Sequence, residues 1–173
     1  MREAGTVRCR LPFRTINRAA DPGYQPGMQR HHLLPRQLLT ARCFEGLFNR
    51  LGPERVGFDD FRRNGLLLPC TERAVMGFRL PLHRGPHGRY NAMVFERVGQ
   101  IEAGWARRRL RCADDALDEA LMRLALLQRA LRRRLLAERR RLRLNRADPL
   151  GSGRDFAELD AMAELLWRET EQN

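Results

Sequence analysis

All four histidines of the chain fall in two tight clusters, His31-His32 and His83 with His87. The first pair opens an apolar run, His31-His32-Leu33-Leu34-Pro35. The second lies four residues apart within Leu82-His83-Arg84-Gly85-Pro86-His87-Gly88-Arg89-Tyr90-Asn91. Neutral imidazole is the commonest metal ligand among side chains and the group best poised to move a proton near neutral pH. Two converging clusters of it point to one metal site with a base beside it.

Adjacent residues on a strand face opposite ways, so His31 and His32 cannot share one role. One of them can ligate a metal with His83 and His87 while the other faces a water. Strand alternation alone leaves open which is which. Three imidazoles leave coordination positions free, the pattern of a catalytic rather than a structural site. A phosphate oxygen in such a position would be polarised, and the remaining histidine would deprotonate the attacking water. Asn91, one helical turn beyond His87, is an alternative to His83 as ligand, and Cys70 is a further candidate. Imidazole ligands suit zinc and nickel by softness, whereas magnesium prefers oxygen. Zinc is therefore the first expectation for one divalent ion, with magnesium, manganese and nickel open.

The elements that must position these groups follow from periodicity and breakers. Residues 1–28, rich in Arg, Gly and Pro, predict an irregular arm with one short element at most. Apolar Leu38, Leu39, Phe44, Leu47 and Phe48 predict a helix over residues 36–50, stopped at Leu51-Gly52-Pro53. Asn64-Gly65 is a turn dipeptide, and Leu66-Leu67-Leu68 before Pro69 predicts a strand. Leu33-Leu34 before Pro35 has the same character, so the two runs are expected to pair as an antiparallel ribbon whose first strand begins at the histidine pair. After Pro86, the spacing of Tyr90, Val94, Phe95, Val98, Ile101 and Trp105 predicts a helix with the second histidine cluster at its mouth.

Asp114 or Asp115 can cap a further helix running to about Asn145, striped by Leu117, Leu121, Leu124, Leu131 and Leu135. Its later half carries Arg132-Arg133-Arg134 and Arg139-Arg140-Arg141. Asp148-Pro149-Leu150-Gly151-Ser152-Gly153 is expected to be a linker to an acidic amphipathic tail. The fold class is thus α+β, mostly α, with a small ββα metal finger and additional long helices. Its divisions are an arm (1–28), the finger (29–112), an arginine-rich helix (113–147) and the tail (154–173).

The net charge is +12, and every basic residue is arginine because the chain has no lysine. Genome composition accounts for arginine replacing lysine but not for the excess of cations over anions. A polyanion such as nucleic acid is the usual partner of such a field, and the arginine helix is a candidate phosphate-tracking surface. The tail from Arg154 holds two arginines against six acids, so the body is more basic than the total, and the tail can fold back as a counter-charge. Cys9, Cys43, Cys70 and Cys112 are isolated, as in a reduced cytosolic protein. No membrane span or signal-peptide core is present, so a cytoplasmic location is expected, with export by a specialised secretion system open.

Three segments in order, Gln29-Arg30-His31-His32-Leu33-Leu34-Pro35, then Asn64-Gly65-Leu66-Leu67-Leu68-Pro69, then residues 82–91, resemble the His-Me finger (HNH-type) nucleases. Among these the chain is similar to the AHH family. The resemblance implies a metal-dependent endonuclease acting on nucleic acid, DNA ahead of RNA. It assigns the catalytic set to His32, as general base, and Asn64, which ties down the loop that holds it. It assigns the metal to His31, His83 and His87. One position departs from the pattern: the alanine before the paired histidines is Arg30 here. Toxin, defence and mobile-element settings are all compatible, the toxin setting bringing an inhibitor or immunity protein as partner. Two other classes compete, a non-catalytic nucleic-acid-binding protein with a structural zinc finger and a helical interaction module.

Overall fold

A computed structural model of the chain describes residues 9–138, 142–145 and 147–150. The architecture is mixed α+β and mostly helical, built around one two-stranded antiparallel sheet. Strand β2 (Gly65–Pro69) is the expected apolar run, and it pairs with β1 (Met28–His32). The register sets His31 opposite Leu66 and His32 opposite Gly65.

The histidine pair therefore ends the first strand instead of beginning it, and Leu33-Leu34 lie beyond the ladder. Asn64 draws them away. Its main-chain oxygen accepts the Leu33 N–H at 2.8 Å, and its Oδ1 accepts the Leu34 N–H at 2.7 Å. Both leucines are fully buried. Asn64-Gly65 is not a turn either. Asn64 closes the short helix α3 (Phe61–Asn64), and Gly65 is extended at φ −115°. A Cβ on Gly65 would stand 2.2 Å from the Phe61 ring, so glycine is needed for close approach.

Between the strands the expected helix over 36–50 is broken. Two 3₁₀ turns, Arg36–Leu39 and Arg42–Phe44, precede α1 (Glu45–Leu51). The Thr40 hydroxyl bonds the Gln37 carbonyl at 3.1 Å and Ala41 is extended, a local bond that competes with helix continuation. α2 (Pro53–Val56) and α3 complete the connection. After β2 comes α4 (Glu72–Phe78), an element absent from the sequence expectation and capped by Thr71, whose side chain accepts the Ala74 N–H.

The two long helices carry most of the core. α5 (Gly88–Arg108) buries Tyr90, Met93, Val94, Val98, Ile101 and Trp105, one stripe at helical spacing. α6 (Ala113–Leu136) packs against it through Ala116, Ala120, Leu124, Leu127, Leu131 and Leu135. Full burial of each leucine contributes about 2 kcal/mol relative to exposure. Cys112, not Asp114 or Asp115, occupies the N-cap of α6; the two carboxylates sit in the first turn, where they complement the helix dipole. Leu117 and Leu121 are only partly buried, so the stripe lies on the alanine side of the expected one.

α6 ends at Leu136, nine residues before the expected Asn145. Leu142 and Leu144 are buried in the same core, and the Leu142 N–H donates to the Arg134 carbonyl at 3.2 Å. Asp148 is also buried, so the stretch expected to be a linker begins as packed structure. Arg139-Arg140-Arg141 and the tail from residue 151 lie outside the described residues. Among the described residues, no helix is long and apolar enough to cross a membrane.

Candidate functional site

The end of β1 sends its last two side chains to opposite sides, and each meets a different environment. His31 is 4% exposed, and its ring lies 4.9 Å from that of His83 and 5.7 Å from that of His87. His83 and His87 are 4.5 Å apart by ring centroid. One ligand nitrogen from each of the three lies within 4.8 Å of the others. Nε2 of His31 and Nδ1 of His83 and of His87 are buried without a hydrogen-bond partner. Buried polar atoms are normally satisfied, so three such lone pairs at one place need an account. Their number and softness fit a divalent ion of the zinc type with coordination positions left over.

Main-chain contacts hold these rings. The His83 N–H donates to the Pro69 carbonyl at 2.6 Å, hanging the loop that carries His83 and His87 on the end of β2. The backbone of Leu144 acts electrostatically on the His87 ring, whose Nδ1 is buried without a partner. Tyr90, one turn into α5, lies against His31 and donates its hydroxyl to the Leu33 carbonyl at 2.7 Å.

His32 lies flat on Phe13, with ring centroids 3.7 Å apart and planes within 1° of parallel. Phe13 in turn meets the edge of Phe61 at 5.1 Å. The arm segment thus supplies the platform for this histidine. Arg30, the departure from the family pattern, donates from Nη1 to the Phe13 carbonyl at 2.8 Å and holds that platform in place. A cleft of about 380 Å³, lined by Arg10, Arg36, Phe58 and Asp59 among others, opens nearby. Arg36 and Asp59 both act electrostatically on His32. Asp59 is also paired with Arg10 at 2.9 Å.

Burial holds all four imidazoles below the ordinary histidine range. His32 is pushed down to about 4 by burial and then by Arg36, with Asp59 opposing. His83 is pushed down to about 4 by burial, then by the neighbouring His87 and His32. His31 is lowered well below the usual value by burial and by the three other histidines. His87 is lowered by burial, against the opposing effect of the Leu144 backbone. Neutral imidazole is the form that ligates and the form that accepts a proton.

Asn64 is fully buried and saturated. Its amide donates to the Leu34 carbonyl at 3.1 Å and the Phe58 carbonyl at 3.2 Å, and its Oδ1 accepts from Leu34 and from Gln128 of α6. It fixes the chain immediately after His32.

Other sequence candidates lie elsewhere. The Asn91 amide donates to Gln37 Oε1 at 3.2 Å. Cys70 does not join the histidine group. The arginine helix is less available to a ligand than its sequence suggests. Arg132 donates to the Arg62 carbonyl at 2.8 Å and is half-buried, Arg134 is buried, and only Arg133 of that triplet is exposed. Phe13, Tyr90 and the residues around Leu144 were not singled out as site residues. Phe13 and Leu144 carry no local signal, being brought in by tertiary packing, whereas Tyr90 stood in the helical stripe as a core residue.

No curated protein and no solved structure matches the chain. A family model does. Described as a nuclease family of the HNH/ENDO VII superfamily with conserved AHH, it matches residues 13–131. The matched stretch starts at the residue on which His32 is stacked and takes in β1, β2, α5 and most of α6. With its paired histidines at the end of β1 and well over half its length within the match, the chain belongs to the AHH family of nucleases.

Proposed function

We propose that the chain hydrolyses phosphodiester bonds of nucleic acid, with His32 as general base beside a divalent ion held by His31, His83 and His87. The observation that carries this reading is the split of four neutral imidazoles, His31 buried and the other three half-buried. Three of them converge, and the fourth is braced separately on an aromatic ring. Three ligands, not four, favour a catalytic over a structural ion.

His32 accepts a proton from a water as the water oxygen bonds to phosphorus, and the bond to the leaving ester oxygen breaks. The leaving oxygen ends protonated from solvent. Nε2 of His32 is buried without a protein partner, leaving its lone pair to the reacting water. The Phe13 face fixes the plane of the ring, and Asn64 fixes the chain that follows it. A bound divalent ion supplies Lewis-acid stabilisation of charge on the phosphate oxygens. Exposed Arg36, Arg84 and Arg89 flank the histidines and supply phosphate contacts without sequence information. Zinc is the first choice of ion and DNA the first choice of substrate.

Plasmid nicking by metal-free and metal-restored protein tests the reading. Cleavage that appears only with added divalent ion supports it. Metal binding with no cleavage of DNA or RNA would instead indicate a structural finger, and cleavage undiminished by chelation would reject the metal role.

A further inference from the structure

We infer that the stretch after α6, the described residues between 142 and 148, is a clasp that positions the metal-ligand loop, with Asn145 and Asp148 as its positioning residues. This rests on the assignment of His31, His83 and His87 as the ligand set. Residues 82–87 form neither helix nor strand, so the loop's own backbone hydrogen bonds cannot hold His83 and His87 in place. β2 holds one point, through the Pro69 carbonyl. Two further points come from the clasp. Asp148 Oδ2 accepts the Leu82 N–H at 3.1 Å and Asn145 Nδ2 donates to the Arg84 carbonyl, and the backbone of Leu144 also acts on the His87 ring.

The clasp is itself anchored. Leu142 and Leu144 are buried, and the Leu142 N–H donates to the Arg134 carbonyl at 3.2 Å. Asn145 Oδ1 accepts the Ala147 N–H at 2.8 Å, and Asp148 Oδ1 accepts the Leu150 N–H at 3.1 Å. A buried carboxylate is tolerated only where hydrogen bonds replace water, and both oxygens of Asp148 have a main-chain donor. One of those donors is the residue before His83. All of this lies beyond residue 131, where the family match ends, so the chain braces its ligand loop with a segment outside the matched stretch.

Outer partners of ligating histidines typically contribute about 10- to 100-fold in metal affinity. Cobalt(II) titration against a chelator, on the full chain, tests the clasp by affinity and by the visible spectrum of the bound ion. Asp148→Ala should bind cobalt about tenfold more weakly, with an altered spectrum. Asp148→Asn keeps an acceptor for the Leu82 N–H but sets its amide NH₂ against the Leu150 N–H, and should bind more tightly than Asp148→Ala and more weakly than the parent. Asn145→Ala removes a half-buried side chain, should fold normally by circular dichroism, and should weaken binding by a smaller factor. Wild-type affinity and spectrum in Asp148→Ala and Asn145→Ala would overturn the clasp, as would wild-type behaviour of Asn145→Ala if Asp148→Ala does not fold. His83→Ala separates the two readings. If it loses cobalt while the clasp variants keep it, the clasp fails and the ligand set stands. If it binds as the parent does, or the parent binds none, the ligand set fails and the clasp with it.

Discussion

On one side of the end of β1, buried His31 meets two half-buried imidazoles, and the free nitrogens of the three converge. On the other side, His32 meets an aromatic face, an arginine and a carboxylate beside an open cleft. The first side is held by the His83 N–H, which donates to the Pro69 carbonyl of β2, with the backbone of Leu144 acting on the His87 ring. The second is held by ring stacking, with Asn64 behind it. The difference fits the two tasks proposed for these sides. A ligand set needs lone pairs fixed in direction, which hydrogen bonds to the opposite ring nitrogen or the adjacent backbone accomplish. A base needs a fixed plane and a nitrogen left to the reacting water, which a flat apolar support provides without competing for that nitrogen.

The largest effect should come from the ligand side. His83→Ala or His87→Ala should lose bound metal and cleavage together and should also lower the thermal midpoint of the metal-loaded protein, because ligation is coupled to folding. Unchanged metal stoichiometry in both variants would dissolve the contrast between the two sides.

Asn64→Ala strikes the base side through its support. It leaves the buried Leu34 N–H and the Leu34 and Phe58 carbonyls without partners, each costing roughly 1–3 kcal/mol. Urea unfolding should show a loss of at least one such increment. A midpoint equal to the parent's would mean that the chain after His32 is held by something else.

Phe13→Ala sharpens the comparison with a smaller effect. Stacking of this kind contributes about 0.5–1.5 kcal/mol, so the cleavage rate should fall by about threefold to tenfold with metal content unchanged. Loss of metal in this variant would show that Phe13 serves the ligand side.

Acid should act on both sides in the metal-free protein. The folded values of His32 and His83 are held at about 4, below the ordinary 6.5. The unfolded chain therefore binds more protons between these values. Stability should be intact above about 6.5 and should fall as the pH drops from there to about 4. Thermal midpoints of chelated protein across that range measure it, and a flat profile would contradict the burial of these rings.

Both sides were partly legible in the sequence. The histidine spacing, the apolar run of β2 and the start of α5 after Pro86 are local signals, and local signals survive folding. The alternation that separates His31 from His32 is a property of any strand, so it was legible even though the strand lies N-terminal to its expected place. What escaped depends on distant partners. Leu33-Leu34 resemble a strand until Asn64 captures them, and Leu142 and Leu144 resemble a continuing helix stripe until both are found packed in the core beyond the end of α6. Arg132 and Arg134 look like ligands for phosphate until their packing is known. Phe13 and Asp148 offered nothing in their own neighbourhoods; only the packed chain brings one under His32 and the other under Leu82.

The most direct test of the account compares His31→Ala with His32→Ala, measuring bound metal and the time course of plasmid nicking in the same preparations. His31→Ala should lose metal and activity together. His32→Ala should keep its metal and its affinity for nucleic acid while the cleavage rate falls on the order of 10²- to 10⁴-fold. Full activity in His32→Ala would contradict the proposed mechanism, and loss of metal in that variant alone would exchange the two roles.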